Sequence, residues 1–324
     1  MPAPDADRRS LLLGLLGSLA CGVAAAPRRA FGQAAGQQGV LQQLEGLEER
    51  ARRIGIATPI ADGARAARSP QEQETYIELM PRLVDLIDRA DAEGSRNATG
   101  IAEEAAEVLG RIHREERGLV PEDAERRPPP SFDSLRAEYR QLFDQCVIEP
   151  RYKSKVDQHV DTLKRHKARY EKVGQGLQIP WYFIGIIHAL EAGFNFRTHL
   201  HNGDSLARRT VQVPAGRPAV WNPPNDWESS ADDALRIKRF DSQPDWGLEI
   251  MLYRWELYNG FGYRSKRTPE GKPVYSPYLW SFTNQYSRGK YVRDGVWDPS
   301  YVSQQCGAAT MLKGLIATGE VASL

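Results

Sequence analysis

Glu191 is the side chain whose setting most suggests chemistry. It closes the run PWYFIGIIHALEAGFNF, in which Trp181, Phe183, Ile184, Ile186, Ile187 and Leu190 leave no polar face and Gly193 supplies a stop. Apolarity on every side marks a buried helix, and Pro180 stands where proline opens one. A lone carboxylate at the exit of such a helix is partly desolvated. Desolvation disfavours its charged form and raises its pKa toward the range of a general acid. The competing reading is a buried glutamate paired with a cation such as Arg197 or Arg209.

Downstream, FRTHLHNGDSLARRTVQV places His199, His201, Asn202 and Asp204 in extended runs around Asn202-Gly203. Asn-Gly between such runs predicts a β-hairpin. His199 and His201 would alternate onto one face of a strand, as metal ligands do. Asp204, however, lies beyond the turn and no third ligand is evident. No metal and no cofactor is therefore expected, and His199, His201 and Asn202 are assigned to positioning or to hydrogen bonding with substrate.

A buried helix delivering Glu191, followed by a hairpin carrying Asp204 and Thr210, resembles the lysozyme superfamily. In its phage-type members a helix-end Glu is followed by an Asp and, six residues later, a Thr, the separation found here between Asp204 and Thr210. The wider set IHALEAGFNFRTHLHNGDSLARRTVQVPAGRP, YNGFGYR, SPYLWSFTNQYSRGKYV and VSQQCGAA resembles uncharacterised bacterial and phage lysozyme-like proteins over about residues 132–318. The chain departs from the pattern in its longer interval of 13 positions from Glu191 to Asp204, and in carrying Ala192 where a Ser commonly follows the catalytic Glu.

The resemblance implies a mainly α (α+β) lysozyme-like domain with a small hairpin, acting on the β-1,4 amino-sugar glycan of peptidoglycan. Glu191 would protonate the leaving oxygen, and Asp204 with Thr210 would stabilise the oxocarbenium-like state or activate water. If Asp204 only caps the hairpin, Glu191 would act as acid and then base, with the substrate's acetamido or 6-hydroxyl group as nucleophile. That gives the alternatives of a lytic transglycosylase or a chitinase-like enzyme. A non-catalytic wall-binding or scaffold protein is the alternative of another class.

Aromatic content fits a sugar site. All seven Trp lie between Trp181 and Trp297, and twelve of thirteen Tyr lie from Tyr139 onward. Aromatic faces stack on pyranose rings, and Tyr278 and Tyr286, with Asn259 and Asn284 as partners for acetamido groups, are the substrate-binding candidates. About two in three of these aromatics are expected in the core.

Several elements must position these groups. Residues 1–34 read as an export signal: Arg8-Arg9 before Ser-Leu-Leu-Leu resembles a twin-arginine leader, and the apolar stretch from Leu11 to Ala26 is short for a membrane span. An uncleaved anchor and lipoprotein attachment at Cys21 are the alternatives, and a periplasmic or secreted protein is expected. Residues 35–118 form a helical region with stretches at Gly39–Ile54, Ser69–Ala92 and Thr99–Arg117, for localisation or binding a protein partner. Ser69-Pro70 supplies a cap, and Pro81 should kink or divide the second stretch. Residues 119–131 are a proline-rich linker, and 132–324 are the catalytic domain. There the sequence predicts helices from Ser131 to about Val147, Arg151–Val173, Asp226 or Trp227 to Ile237, Trp246–Tyr258 and Val302–Thr318. His113, His159 and His166 lie among charged residues and are read as solvated.

Charge divides with these regions. Residues 35–127 hold 13 Arg and 19 acids, net −6, whereas 128–324 hold 26 basic and 21 acidic residues, net +5. So modest a positive balance suits a polyanionic wall polymer and argues against nucleic acid. Cys146 and Cys306 could form a disulfide after export or remain buried thiols.

Overall fold

The computed structural model of the chain describes residues 28–57, 76–117, 128–212, 214–222, 226–293 and 295–324. Most of the leader, the Ser69-Pro70 cap and the linker from 118 to 127 lie outside the described residues. Among the described residues the fold is mainly helical, with one two-stranded sheet.

The N-terminal region supplies α1 (Arg28–Arg53), α2 (Tyr76–Glu93) and α3 (Arg96–Arg117). Their apolar stripes become buried faces, including Leu44 and Leu47, Leu79 and Leu83, and Ala105 and Leu109. Helix α2 continues through Pro81 undivided.

The second region opens with α4 (Phe132–Asp144), capped as expected by Ser131, whose hydroxyl accepts from the Ser134 amide at 3.3 Å. Where one long helix is expected over 151–173 there are two, α5 (Lys153–Arg165) and α6 (Lys167–Leu177), broken at His166. Helix α7 (Trp181–Ala192) follows Pro180 and ends at Gly193, whose φ of 57° is a left-handed stop that glycine adopts without strain. Asp226 caps α8 (Trp227–Ile237) by accepting from the Ser229 amide at 2.7 Å. Helices α9 (Leu248–Asn259), α10 (Pro277–Trp280) and α11 (Ala308–Ala317) complete the set.

Helix α7 is the axis of the core. Phe183, Ile184, Ile186 and Ile187 are fully buried, and each such side chain contributes roughly 1.5–3 kcal/mol by leaving water. A β-carbon at Gly185 would lie 2.9 Å from the Tyr170 ring and 2.7 Å from Leu163, so α5 and α6 press directly on the α7 backbone. Gly307 is packed as closely: a β-carbon there would stand 2.3 Å from the Leu279 carbonyl.

The sheet is not where Asn202-Gly203 points. It pairs β1 (Lys290–Arg293) with antiparallel β2 (Val296–Asp298). The 198–205 segment forms only one bridge, Thr198 to Ser205. Backbone bonds close a short turn there, from the His199 amide to the Asp204 carbonyl at 2.6 Å and from the Leu206 amide to the Arg197 carbonyl at 3.1 Å; beyond it, the Asp204 amide donates to Asn202 Oδ1, and Asp204 Oδ2 accepts from the Val211 and Gln212 amides. These bonds fold the chain into a loop where a ladder would otherwise extend.

Helices α1–α3 are docked on the rest, and the buried apolar residues of both regions form one contiguous core. Along α2, Asp85, Asp88 and Asp91 recur every third residue and face the second region. Arg165 reaches Asp88 at 2.7 Å and Asp85 at 3.7 Å, His166 lies 3.3 Å from Asp88, and Arg197 pairs with Asp91 at 2.6 Å. Burial pushes the Asp88 carboxyl up, but His166 and Arg165 outweigh it and hold it below the usual carboxylate range. The opposite net charges of the two regions thus meet in an ionic seam. Three histidines expected in solvent are drawn in: His113 and His159 are 3% and 4% exposed, and the His166 side chain 11%. No described helix is long and apolar enough to cross a membrane.

Candidate functional site

Glu191 occupies the last turn of α7 and is 2% exposed. The Tyr278 hydroxyl donates to its Oε1 at 2.8 Å. Tyr278 stands on the single turn α10, anchored on either side by buried Pro277, Leu279 and Trp280. Gln305 donates to the Leu190 carbonyl at 2.7 Å, tying down the same last turn. Of the cations proposed to neutralise Glu191, Arg197 is paired with Asp91 and Arg209 is exposed.

The loop bearing the other candidates lies against this helix end. Gly203, at φ 78°, brings its backbone so close that a β-carbon would lie 3.3 Å from the Glu191 carbonyl oxygen. Asp204 uses Oδ2 to gather the amides of Val211, at 2.7 Å, and Gln212, at 2.9 Å. Asn202 is committed as well, accepting from the Asp204 amide and donating to the Gln212 carbonyl at 3.0 Å. Thr210 is 3% exposed; its hydroxyl donates to the Pro214 carbonyl at 2.5 Å and accepts from the Arg217 amide at 2.9 Å. Asp204, Asn202 and Thr210 therefore shape one loop through their own hydrogen bonds.

The two histidines are held from behind by α8. His199 Nε2 donates to the Arg208 carbonyl at 2.8 Å, which leaves Nδ1 to accept from the Ser230 hydroxyl at 2.7 Å. His201 Nε2 donates to Asp233 at 2.8 Å, and Asp233 is also gripped by Arg217. Burial holds both imidazoles below their ordinary pKa, for His201 even against the adjacent Asp233 carboxylate. They are neutral donors and acceptors with fixed tautomers. Asp233 and Ser230, which fix them, lie about 30 positions away in sequence and had no local signal. Among the described residues no three His, Cys, Asp or Glu side chains are grouped to hold a metal ion.

The remaining candidates divide. Tyr278 joins Glu191 directly. Asn284 accepts from the Val147 amide and donates to the Gln145 carbonyl, fastening the end of α4. The Tyr286 hydroxyl donates to the Gly289 carbonyl and accepts from the Ser303 amide, inside the β1 side of the fold. Asn259 ends α9 with its Nδ2 buried and without a hydrogen bond; the adjacent Tyr258 hydroxyl donates to the Leu200 carbonyl at 3.0 Å. The tryptophans serve the core more than a surface. Trp221, Trp227, Trp255 and Trp280 are buried, and Trp181, Trp246 and Trp297 are half-buried. Cys146 and Cys306 are buried free thiols, not a disulfide.

No protein-family model, curated protein or solved structure matches the chain.

Proposed function

We propose that the chain is an exported glycoside hydrolase that cleaves the β-1,4 amino-sugar glycan of peptidoglycan, with a lysozyme-like fold and Glu191 as its acid. The observation that carries this reading is the Glu191 carboxyl, sequestered at the end of a buried helix and oriented by the Tyr278 hydroxyl. In that role Glu191 gives a proton to the glycosidic oxygen as the C1–O bond breaks, and the resulting carboxylate then accepts a proton from the incoming nucleophile. At 2% exposure the carboxyl is reached by a polymer only when the side chains over it part.

Asp204 favours a second reading. Its Oδ2 is engaged by two backbone amides, so the chemistry falls to a single carboxylate. If water attacks C1, Glu191 deprotonates it and a reducing end forms. If the substrate's own 6-hydroxyl attacks, Glu191 takes that proton and a 1,6-anhydro ring closes, the lytic transglycosylase outcome. Mass spectrometry of peptidoglycan digested by the mature protein separates them: reducing-end muropeptides support hydrolysis, anhydro-muropeptides support transglycosylation, and no cleavage leaves a wall-binding or scaffold role.

A further inference from the structure

The chain leaving Glu191 is held from two sides: Phe194 and Phe196 pack on His159, Tyr170, His188 and Trp227 of the second region, and the N-terminal helices hold the other side. Gly193 packs against α2 and α3: a β-carbon there would meet His113 Nδ1 at 3.3 Å, Met80 Sδ at 3.5 Å and Leu109 at 3.6 Å. Two residues on, Asn195 is 2% exposed and uses both ends of its amide. Its Nδ2 donates to the Ala106 carbonyl of α3 at 3.1 Å, and its Oδ1 accepts from the Arg197 amide at 3.0 Å. Its backbone amide donates to Ala192 next to Glu191, and its carbonyl accepts from the Thr198 amide and hydroxyl. Thr198 begins the loop whose Gly203 lies on the Glu191 carbonyl.

We propose that Asn195 is a positioning residue for Glu191 and that, through it, helices α1–α3 are a working part of the catalytic unit. This rests on the proposed role of Glu191. Asn195 joins three segments: the exit of α7, the backbone of α3 and the start of the loop facing Glu191. Fully satisfied buried amides of this kind fix a single backbone path, and losing one partner leaves the other buried and unpaired. The Arg197–Asp91 pair joins the same two regions, but with side chains 33% and 50% exposed it is screened by solvent and holds little. The surface that looks like a module boundary in the sequence is therefore the back wall of the site.

The test uses the full mature chain with Asn195→Ala, Asn195→Asp and the rim control Asp91→Asn, each checked for folding by circular dichroism. Asn195→Asp is close in shape and keeps the acceptor for the Arg197 amide, but sets an oxygen against the Ala106 carbonyl in place of the donor; Asn195→Ser, which is smaller and neutral, is the further variant if the other two fail to fold. Two readouts are taken: kcat and KM on a soluble peptidoglycan oligomer, and the 13C signal of the Tyr278 ring carbon bearing the hydroxyl, assigned with Tyr278→Phe. The expected result is a kcat lowered about tenfold or more with KM within about twofold for the Asn195 variants, together with a displaced Tyr278 signal. Asp91→Asn should leave both unchanged. A folded Asn195→Asp with wild-type kcat and an unmoved Tyr278 signal overturns the proposal. If the wild-type chain cleaves no glycan, the enzymatic reading fails, while the Tyr278 signal still decides whether Asn195 positions the Glu191 carboxyl.

Discussion

The Tyr278 hydroxyl donates to Glu191 Oε1 across 2.8 Å, joining the one-turn helix α10 to the last turn of α7 over 87 residues of sequence. As Glu191 gives up its proton the bond becomes one to a charged group, worth about 1.5–3 kcal/mol. Tyr278→Phe keeps the ring and removes the donor. It should lower kcat/KM about 10- to 100-fold while the fold is retained, as measured by glycan cleavage rates beside thermal melts.

Asp204 is a backbone acceptor for Val211 and Gln212. An amide oxygen can accept as a carboxylate does, so Asp204→Asn should keep activity within about tenfold, whereas Asp204→Ala should destabilise the protein by about 1–3 kcal/mol by orphaning those amides. Urea unfolding and initial rates on both variants check this. Loss of turnover in a folded Asp204→Asn would instead make Asp204 the second catalytic carboxylate.

Acid should weaken the fold before it protonates ordinary carboxylates. Burial lowers the His159 pKa from 6.5 to about 4, and His188, His199 and His201 are depressed for the same reason. With folded values below unfolded ones, the unfolded chain takes up protons first. The stability these groups contribute is intact above about pH 6.5 and is lost as pH falls toward 4. For His159 alone the loss is on the order of 3 kcal/mol. Urea midpoints from pH 7 to 4.5 should decline, and less steeply in His159→Gln.

Cys146 and Cys306 are separate buried thiols, and burial raises the pKa of each. Raised values keep them protonated and unreactive. Thiol titration should find both only after denaturation, and reducing agent should leave the melting temperature unchanged.

Elements announced by local chemistry were legible in the sequence: a helix starting at Ser131, another at Asp226 or Trp227, and Pro180 and Gly193 bracketing α7. Tertiary choices were not. Asn202-Gly203 reads as a hairpin turn, and a turn with one antiparallel bridge forms there, but Asp204 gathers the Val211 and Gln212 amides beyond it and the paired strands form around Gly295 instead. No helical pattern shows that α3 turns His113 onto Gly193 at the end of α7, or that α2 carboxylates meet Arg165 and His166. The abundance of tryptophan suggested a sugar groove because composition does not distinguish stacking surface from core. The buried Glu paired with Arg, considered for Glu191, is realised at Glu256, which accepts from Tyr139 at 2.6 Å and Arg264 at 2.7 Å. Arg264 stands just past the end of α9, eight positions from Glu256, but it is the fold that brings Tyr139 of α4 onto the same carboxylate, and sequence spacing alone does not reveal that.

The central claim is that Glu191 is the acid of a glycan-cleaving site. The most direct measurement is mass spectrometry of purified peptidoglycan digested in parallel by the mature protein and by Glu191→Gln, which is close in shape but cannot give up a proton. The account predicts muropeptide release by the wild-type protein and a loss of at least about a thousandfold in the variant. Equal release by a folded Glu191→Gln would contradict it.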